Sequence, residues 1–170
     1  MKKITLLILV ALASTLSPIM AQNYMVVESK KIFESLSDYT AALTRIEAKA
    51  QSYQSQVDAK FDEVEALYNT YMQRQNSLTT VERGVYESKI TQMETSASEY
   101  QQSLFGADGE LFKYRLEQLS PIQTKVFSAV ESYAKSNGFD LVLDYSTTSS
   151  IMYRSDAVER TDEIIKLLKR

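Results

Sequence analysis

The sequence contains no cysteine and no histidine, and only four glycines and two prolines among 170 residues. Without cysteine, the chain cannot form a disulfide, use a thiol nucleophile or carry a lipid on a cysteine. Without histidine, it also lacks the commonest general base and a usual zinc ligand. Few catalytic chemistries remain, so we expect a protein that is not an enzyme and that uses no cofactor and no metal.

The first 21 residues have the pattern of a secretory signal peptide. Lys2 and Lys3 precede an apolar run over 4–12, and small or helix-breaking residues follow as far as Ala21. This order predicts cleavage after Ala21 and export of the mature chain. The apolar run is shorter than the roughly 20 residues that a membrane-spanning helix needs. We therefore expect no stable membrane anchor.

The charge balance argues against a nucleic-acid partner. The whole chain has 19 Lys and Arg residues against 22 Asp and Glu residues. Removal of Lys2 and Lys3 with the leader leaves 17 basic against 22 acidic residues, a formal charge of −5. Binding to phosphates requires clustered Lys and Arg instead. The scarcity of glycine and proline beside abundant Ala, Ser, Gln, Glu, Lys and Leu favours long helices.

A long amphipathic helix is predicted to start at Ser37, which we interpret as its N-cap. Apolar residues then recur at alternating spacings of three and four, with one extra step of four from Val57 to Phe61. That pattern is typical of a coiled-coil seam with a stutter. Without glycine or proline, the helix can run for about 40 residues, or roughly 60 Å. The stripe comprises Tyr39, Leu43, Ile46, Ala50, Tyr53, Val57, Phe61, Val64, Tyr68 and Tyr71.

The chain is predicted to turn back near residue 78. Thr79 and Glu82 have the spacing of a capping box that starts a new helix. A returning apolar stripe favours an antiparallel hairpin in which the numbers of facing residues add up to about 156. Gly106 and Gly109 predict a bend, and Ser120-Pro121 predicts a second break. Asn137-Gly138 predicts the end of the last arm helix.

Short strands flank the hairpin in the sequence. Residues 24–27 are β-prone, and the runs 139–145 and 150–153 read as two strands joined by the turn 146–149. Thr161 is predicted to cap a final helix. The predicted fold is mainly α with a small β body (α+β). Residues 22–36 and 137–170 form the body, and residues 37–136 form a long helical-hairpin arm. Such a small body buries little apolar surface, so we expect it to need partners.

This order of elements resembles the Skp/OmpH family of outer-membrane-protein chaperones. The resemblance covers the whole mature chain and is most specific in two C-terminal stretches. These are Gly138-Phe139-Asp140-Leu141-Val142-Leu143-Asp144, continuing to Tyr153, and the helix Thr161-Asp162-Glu163-Ile164-Ile165-Lys166. Glu159-Arg160-Thr161 departs from the acidic-aliphatic-Thr lead-in that the family usually has before this helix.

The resemblance implies a periplasmic homotrimer whose three arms enclose a cavity for unfolded outer-membrane proteins. It implies a holdase that prevents aggregation without ATP, in keeping with the lack of a nucleotide-binding loop. The best-known members are basic, whereas this mature chain is acidic, so the charge argues against electrostatic binding of lipopolysaccharide. The residues implied for the trimer body are Met25, Val26, Val27, Leu141, Val142, Leu143, Ile151 and Tyr153.

Tyrosine and methionine side chains of the arm are the candidate client-binding groups. Tyrosine combines an apolar ring with a polar tip and tolerates water when no client is bound, and methionine repacks against varied partners. The alternative is that these side chains pack between the two arm helices. The candidates are Tyr53, Tyr68, Tyr71, Met72, Tyr86, Met93 and Tyr100.

A second function stays open from the sequence, that of a periplasmic coiled-coil adaptor or spacer that contacts one fixed partner. An adaptor would carry one localised apolar tip, whereas a holdase would offer amphipathic surface along the whole arm. The turn residues 73–77 are all polar, which favours the holdase.

Overall fold

The structure is a computed structural model that describes residues 23–146 and 151–170. The predicted signal peptide and most of the predicted turn 146–149 lie outside these ranges. The chain builds a small body from which two antiparallel limbs of helix extend, so the predicted fold class is confirmed. Its elements are β1 (Tyr24–Val27), α1 (Ser29–Glu34), α2 (Ser37–Arg74), α3 (Thr80–Phe105), α4 (Glu110–Ser136), β2 (Leu141–Asp144) and α5 (Thr161–Leu168), with 3₁₀ turns at Gln75–Ser77 and Asp156–Val158.

The outgoing limb of the arm is α2, an unbroken helix of 38 residues. At the α-helical rise it is roughly 57 Å long, so most of its length extends beyond the body. It begins with Leu36 as its N-cap, and no side chain caps it. The prediction of Ser37 as N-cap is therefore wrong by one position. Ser37 is already helical, and the chain is held instead by backbone hydrogen bonds from Tyr39 and Thr40 to the Leu36 carbonyl.

The arm tip turns where the sequence predicts. A 3₁₀ turn follows α2, and Thr79 then caps α3. The Thr79 hydroxyl accepts a hydrogen bond from the Glu82 amide, while the Glu82 carboxylate accepts one from the Thr79 amide at 2.7 Å. The Thr79 hydroxyl also donates to the Glu82 carboxylate at 2.7 Å, and this hydrogen bond, together with that from the Thr79 amide, lowers the pKa of Glu82. The predicted capping box is confirmed.

The returning limb is divided in two between Phe105 and Glu110. Gly106 ends α3 and Gly109 precedes α4, as the predicted bend requires. Beyond the bend, the pairing of the limbs changes register. Tyr53 packs edge-on against Phe105, while Lys49 lies over the ring of Tyr114. Between these two contacts, α2 spans four positions and the returning limb spans nine. The five extra residues are accommodated by the bend between α3 and α4.

No second break occurs at Pro121, and that prediction is wrong. Helix α4 runs through Pro121 from Glu110 to Ser136. The proline ring removes one backbone donor. Before it, Gln118 accepts a hydrogen bond from Arg45 of α2, and after it, Ile122 and Val126 pack in the body core. The predicted stop at Asn137-Gly138 is confirmed, because Gly138 adopts the left-handed conformation with φ of 69°.

The body is built around a parallel pair of strands, one before and one after the arm. In β1 and β2, Met25 pairs with Val142 and Val26 with Leu143. Beneath this pair, α1, α5 and the end of α4 enclose one apolar core. Burying each of its large aliphatic side chains contributes about 1.5–3 kcal/mol. The core comprises Met25, Val27, Ile32, Leu36, Val126, Ala134 and Ile164.

The predicted second C-terminal strand is absent from the described part of the chain. Residues 151–155 have no regular structure, and Ser150 lies outside the described residues. The free side of β1 is taken instead by a single bridge between Val26 and Glu159. The second side of β2 has no strand partner among the described residues, although Ile151 and Tyr153 line a groove beside Leu143.

Thr161 does not cap the last helix, which is also a correction. It is the first residue of α5, and Arg160 is the N-cap. Thr161 is buried, and its hydroxyl accepts a hydrogen bond from the Glu28 amide at 2.8 Å. This residue therefore ties α5 to the start of α1.

Asp144 at the end of β2 supports the start of α1 from across the sequence. Its carboxylate accepts hydrogen bonds from the amide and hydroxyl of Ser29 and from the amide and hydroxyl of Ser146. Partial burial raises the pKa of Asp144, but these four hydrogen bonds outweigh it and leave the pKa below the ordinary value of 3.8. The ionised carboxylate thus helps to join the two ends of the mature chain.

Candidate binding surface of the arm

The apolar stripe of α2 separates into two rows in the structure. One row is buried in the seam against the returning limb and includes Ala42, Val57 and Val64. Phe61 lies outside this seam, so the extra step from Val57 to Phe61 is not a stutter in the packing. The second row remains exposed to solvent. It comprises Leu43, Phe61, Tyr68 and Met72, each 36–48% exposed.

These exposed residues share one face of α2, because they are separated by 18, 7 and 4 positions along a helix with 3.6 residues per turn. The returning limb carries exposed Phe105, Phe112, Leu116 and Phe127. Phe112 follows the half-buried Leu111 and Phe127 follows the buried Val126, just as Leu43 follows Ala42. When two antiparallel helices pack side by side, the residue directly after a seam residue points to the same side of the helix pair in both helices. We call these eight side chains the apolar arm face.

The apolar arm face contains an open groove of about 590 Å³ between α2 and α3. Its floor is formed by Phe61, Val64 and Tyr68, and its rim by Glu65 and Glu94, with Ser98 beside them. Phe61 and Tyr68 are 36% and 47% exposed, so both aromatic rings offer apolar contact area to a bound molecule.

The opposite edge of the arm is closed by polar contacts across the seam. The Tyr100 hydroxyl donates to Gln56 Oε1 at 2.7 Å, and Lys60 Nζ lies 4.9 Å from the centre of the Tyr100 ring. Arg45 Nε donates to Gln118 Oε1 at 2.7 Å nearer the body. A groove on this edge, beside Lys60, measures only about 70 Å³. The two sides of the arm are therefore chemically different.

Three of the predicted client-binding residues lie in the packed distal end of the seam. Tyr71 is buried, stacks on Tyr86 and donates a hydrogen bond from its hydroxyl to Glu87 at 2.6 Å. That hydrogen bond is the main reason for a raised pKa of Tyr71. Met93 is half-buried and packs against the same cluster. Their contacts stabilise the hairpin in the absence of a client.

The other four predicted residues differ in exposure and in contacts. Tyr53 and Tyr100 are half-buried, and a lysine lies over each ring, Lys49 at 4.8 Å from the first. Tyr68 and Met72 belong to the apolar arm face and are about half exposed. All seven stay predictions as client contacts, and exposure favours Tyr68 and Met72.

Most of the apolar arm face was missed by sequence reasoning. Phe105, Phe112, Leu116 and Phe127 were not among the candidates, and Phe61 was assigned to the seam. The pattern that identifies most of the face is a second apolar residue directly after a seam residue, as in Ala42-Leu43 and Val126-Phe127; it does not identify Phe61 or Leu116, which follow Lys60 and Arg115. One apolar residue per turn is enough for the seam, so the second stays at least 36% exposed even where, as at Phe105, it contacts a ring across the hairpin.

The body also has an exposed apolar edge. A groove of about 290 Å³ is lined by Val26, Leu143, Ile151 and Tyr153 among others. Tyr153 is 85% exposed and Leu141 is 52% exposed. Of the other residues predicted for the trimer body, Val142 is half-buried, whereas Met25 and Val27 lie in the core of the single chain.

Within 23–146 and 151–170, no group of three or more acidic side chains is arranged to hold a metal ion. In the same ranges, no helix combines the length and apolar character that crossing a membrane requires.

Comparison with known proteins gives a family and a fold. A search of curated proteins finds no match. Among solved structures, the chain is similar to an OmpH-like outer membrane chaperone from Caulobacter crescentus CB15, with a TM-score of 0.69 and 11% identity over 89% of this chain and 86% of that one. At that identity the likeness concerns the fold alone. The family model for outer membrane protein (OmpH-like) matches residues 23–168. The chain therefore belongs to the OmpH-like family.

Proposed function

We propose that this protein is an ATP-independent periplasmic holdase that binds unfolded outer-membrane proteins and prevents their aggregation before membrane insertion. The observation that carries the proposal is the apolar arm face, a line of half-exposed aromatic and aliphatic side chains along a hairpin roughly 57 Å long. Soluble proteins rarely leave such a continuous apolar surface without a partner. Family membership and the similar fold of an outer membrane chaperone support the same function.

The distribution of the exposed side chains suits clients without a fixed shape. Contacts spread from Leu43 near the body to Met72 near the tip, and the groove among them is open to solvent. Many weak contacts along a chain add up to useful avidity. They can also be released one at a time, so a client would leave when the membrane offers deeper burial of its apolar residues.

We further propose that the chain acts as a homotrimer with the apolar arm faces turned towards a shared cavity. A two-stranded sheet is marginal by itself, and the groove beside Leu143 and Tyr153 leaves apolar surface uncovered at its edge. Strands and side chains from neighbouring copies would cover that edge. Three arms that extend from one body would then place their apolar faces around one client.

An aggregation assay tests the proposed function. The mature chain, 22–170, is mixed with a urea-unfolded β-barrel protein, and light scattering is followed after dilution of the urea. We expect suppression at a stoichiometric amount of trimer, with no dependence on added ATP. Undiminished aggregation at a several-fold excess of trimer would contradict the proposal.

A second function, a coiled-coil adaptor with one fixed partner, is favoured by one observation at the tip. Val81 and Val85 lie one turn apart at the start of α3 and are 77% and 63% exposed. They form the localised apolar tip that an adaptor would need. The double substitution Val81→Gln and Val85→Gln separates the functions, because it would leave holdase activity intact and would abolish the activity of an adaptor.

A further inference from the structure

The open groove of the apolar arm face combines apolar and acidic groups in a way that bears on client selection. Two aromatic rings and Val64 form its floor, while Glu65 and Glu94 project at its rim. Both glutamates are exposed, and neither takes part in an ion pair or a side-chain hydrogen bond within the described residues. No lysine or arginine lines this groove. The groove is therefore negatively charged, and its two carboxylates can pair with a cation of a bound segment.

The negative charge continues along the same side of α2. Glu47 lies 18 residues before Glu65, which is five whole turns of an α-helix, so both carboxylates follow the apolar row on the same side. The lysines of this stretch, Lys49 and Lys60, lie on the opposite edge, where they cover the rings of Tyr53 and Tyr100. These carboxylates thus lie beside the apolar row, whereas the two lysines contact aromatic rings on the opposite edge.

Such a surface discriminates between unfolded segments by charge. A lysine or arginine that flanks an apolar side chain can place its cation near Glu65 or Glu94 while the apolar group contacts the groove floor. The half-exposed ring of Tyr68 offers a further favourable contact to a cation. A segment with aspartate or glutamate at the same positions would meet like charge, which is unfavourable by a similar amount.

We propose that this groove selects unfolded segments in which lysine or arginine flanks apolar residues, with Glu65 and Glu94 as specificity-determining residues. The inference rests on the proposed holdase function and adds the chemical class of segment that the arm prefers. It also follows that electrostatic attraction and apolar contact act on the same segment, because the carboxylates and the rings line one groove.

Two labelled peptides test this preference on the intact mature trimer. Both contain the same phenylalanine and leucine residues in the same order, and their polar positions are all lysine in one peptide and all glutamate in the other. Fluorescence anisotropy gives the Kd of each at about 50 mM and about 500 mM salt, which bracket strong and weak screening. We expect the lysine peptide to bind roughly 5- to 10-fold more tightly at low salt, with most of the difference lost at high salt.

Matched variants assign the preference to the groove. Glu65→Lys with Glu94→Lys should reverse the order of the two peptides. Glu63→Lys with Glu99→Lys makes the same change of net charge elsewhere, since Glu63 lines the opposite groove and Glu99 lies about 140° around α3 from Glu94. This control should retain the preference for the lysine peptide. Circular dichroism would verify that all variants remain folded.

The outcomes separate this inference from the proposed function. Equal binding of both peptides at low salt, together with suppressed aggregation of a barrel protein, would overturn the charge preference and leave the holdase function standing. A preference that the control pair abolishes as fully as the groove pair would also overturn it, because net charge would then be the cause. If neither peptide binds and aggregation is not suppressed, both proposals fail.

Discussion

Substitution of Gly106 by alanine should destabilise the arm, although alanine is normally the better helix former. The backbone at Gly106 has φ of −61° and ψ of 171°, so the helix has already ended there. A Cβ atom at this position would lie 2.5 Å from the Gln102 carbonyl oxygen, and one at Gly109 would lie 2.7 Å from that of Leu104. Both obstacles are backbone atoms, so neither can be relieved by a simple side-chain rotation.

We expect Gly106→Ala to lower the free energy of unfolding by about 1–3 kcal/mol, the range typical of overpacking. If the backbone at Gly106 were helical, helix propensity would instead raise the free energy of unfolding by about 1 kcal/mol. The sign of the effect thus distinguishes a true break from a flexible helix. Urea unfolding followed by circular dichroism at 222 nm, at one fixed protein concentration, measures it.

Gly84 provides the matched control. It lies within α3 and is exposed, and a Cβ there would contact nothing within 4 Å. Gly84→Ala should therefore gain about 1 kcal/mol from helix propensity. If Gly106→Ala stabilised the protein as much as Gly84→Ala does, the bend between α3 and α4 and the change of register that follows it would both be wrong.

Three further predictions concern the body. Asp144→Ala should cost about 1 kcal/mol near neutral pH by removing the hydrogen bonds that Asp144 accepts from Ser29 at the start of α1. Because the folded pKa of Asp144 is lowered, the parent should lose this advantage only as the pH falls below about 3.8. A difference between the two urea titrations that persists at pH 2 would contradict this prediction. Thr161→Val should cost about 1–3 kcal/mol in urea unfolding by leaving the Glu28 amide unpaired, and a change below 0.5 kcal/mol would refute that role. Leu143→Asp should abolish trimer formation in light scattering, whereas Val85→Asp should leave the trimer intact; an intact Leu143→Asp trimer would show that the edge of β2 is not the interface.

The arm was predictable because its determinants are local. The capping box needs only Thr79 and Glu82, the helix end needs only Asn137-Gly138, and the antiparallel register follows from the position of the turn. Gln56 indeed faces Tyr100, as residue numbers adding up to about 156 require. Such features depend on spacing within one or two helices, so a single sequence contains the information.

The errors concern residues whose state depends on distant parts of the chain. Residues 151–153 could form a strand only by pairing with the free edge of β2, and a β-prone sequence pattern does not show whether that pairing occurs. Pro121 is tolerated within α4 because Gln118 contacts α2 before it and Ile122 and Val126 pack in the body core after it. The apolar pattern alone could not show that Val57 lies in the seam and Phe61 outside it. Both residues are apolar, and only the packed hairpin shows which one faces the seam.

The central claim is that clients bind to the apolar arm face, and site-specific photo-crosslinking tests it most directly. A photoreactive amino acid is placed at Tyr68 on the apolar arm face or at Glu63, which lines the groove on the opposite edge. Each mature variant is mixed with an unfolded β-barrel protein and irradiated. The account predicts crosslinked client from position 68 and little from position 63. Equal yields from both positions, or a higher yield from position 63, would contradict it.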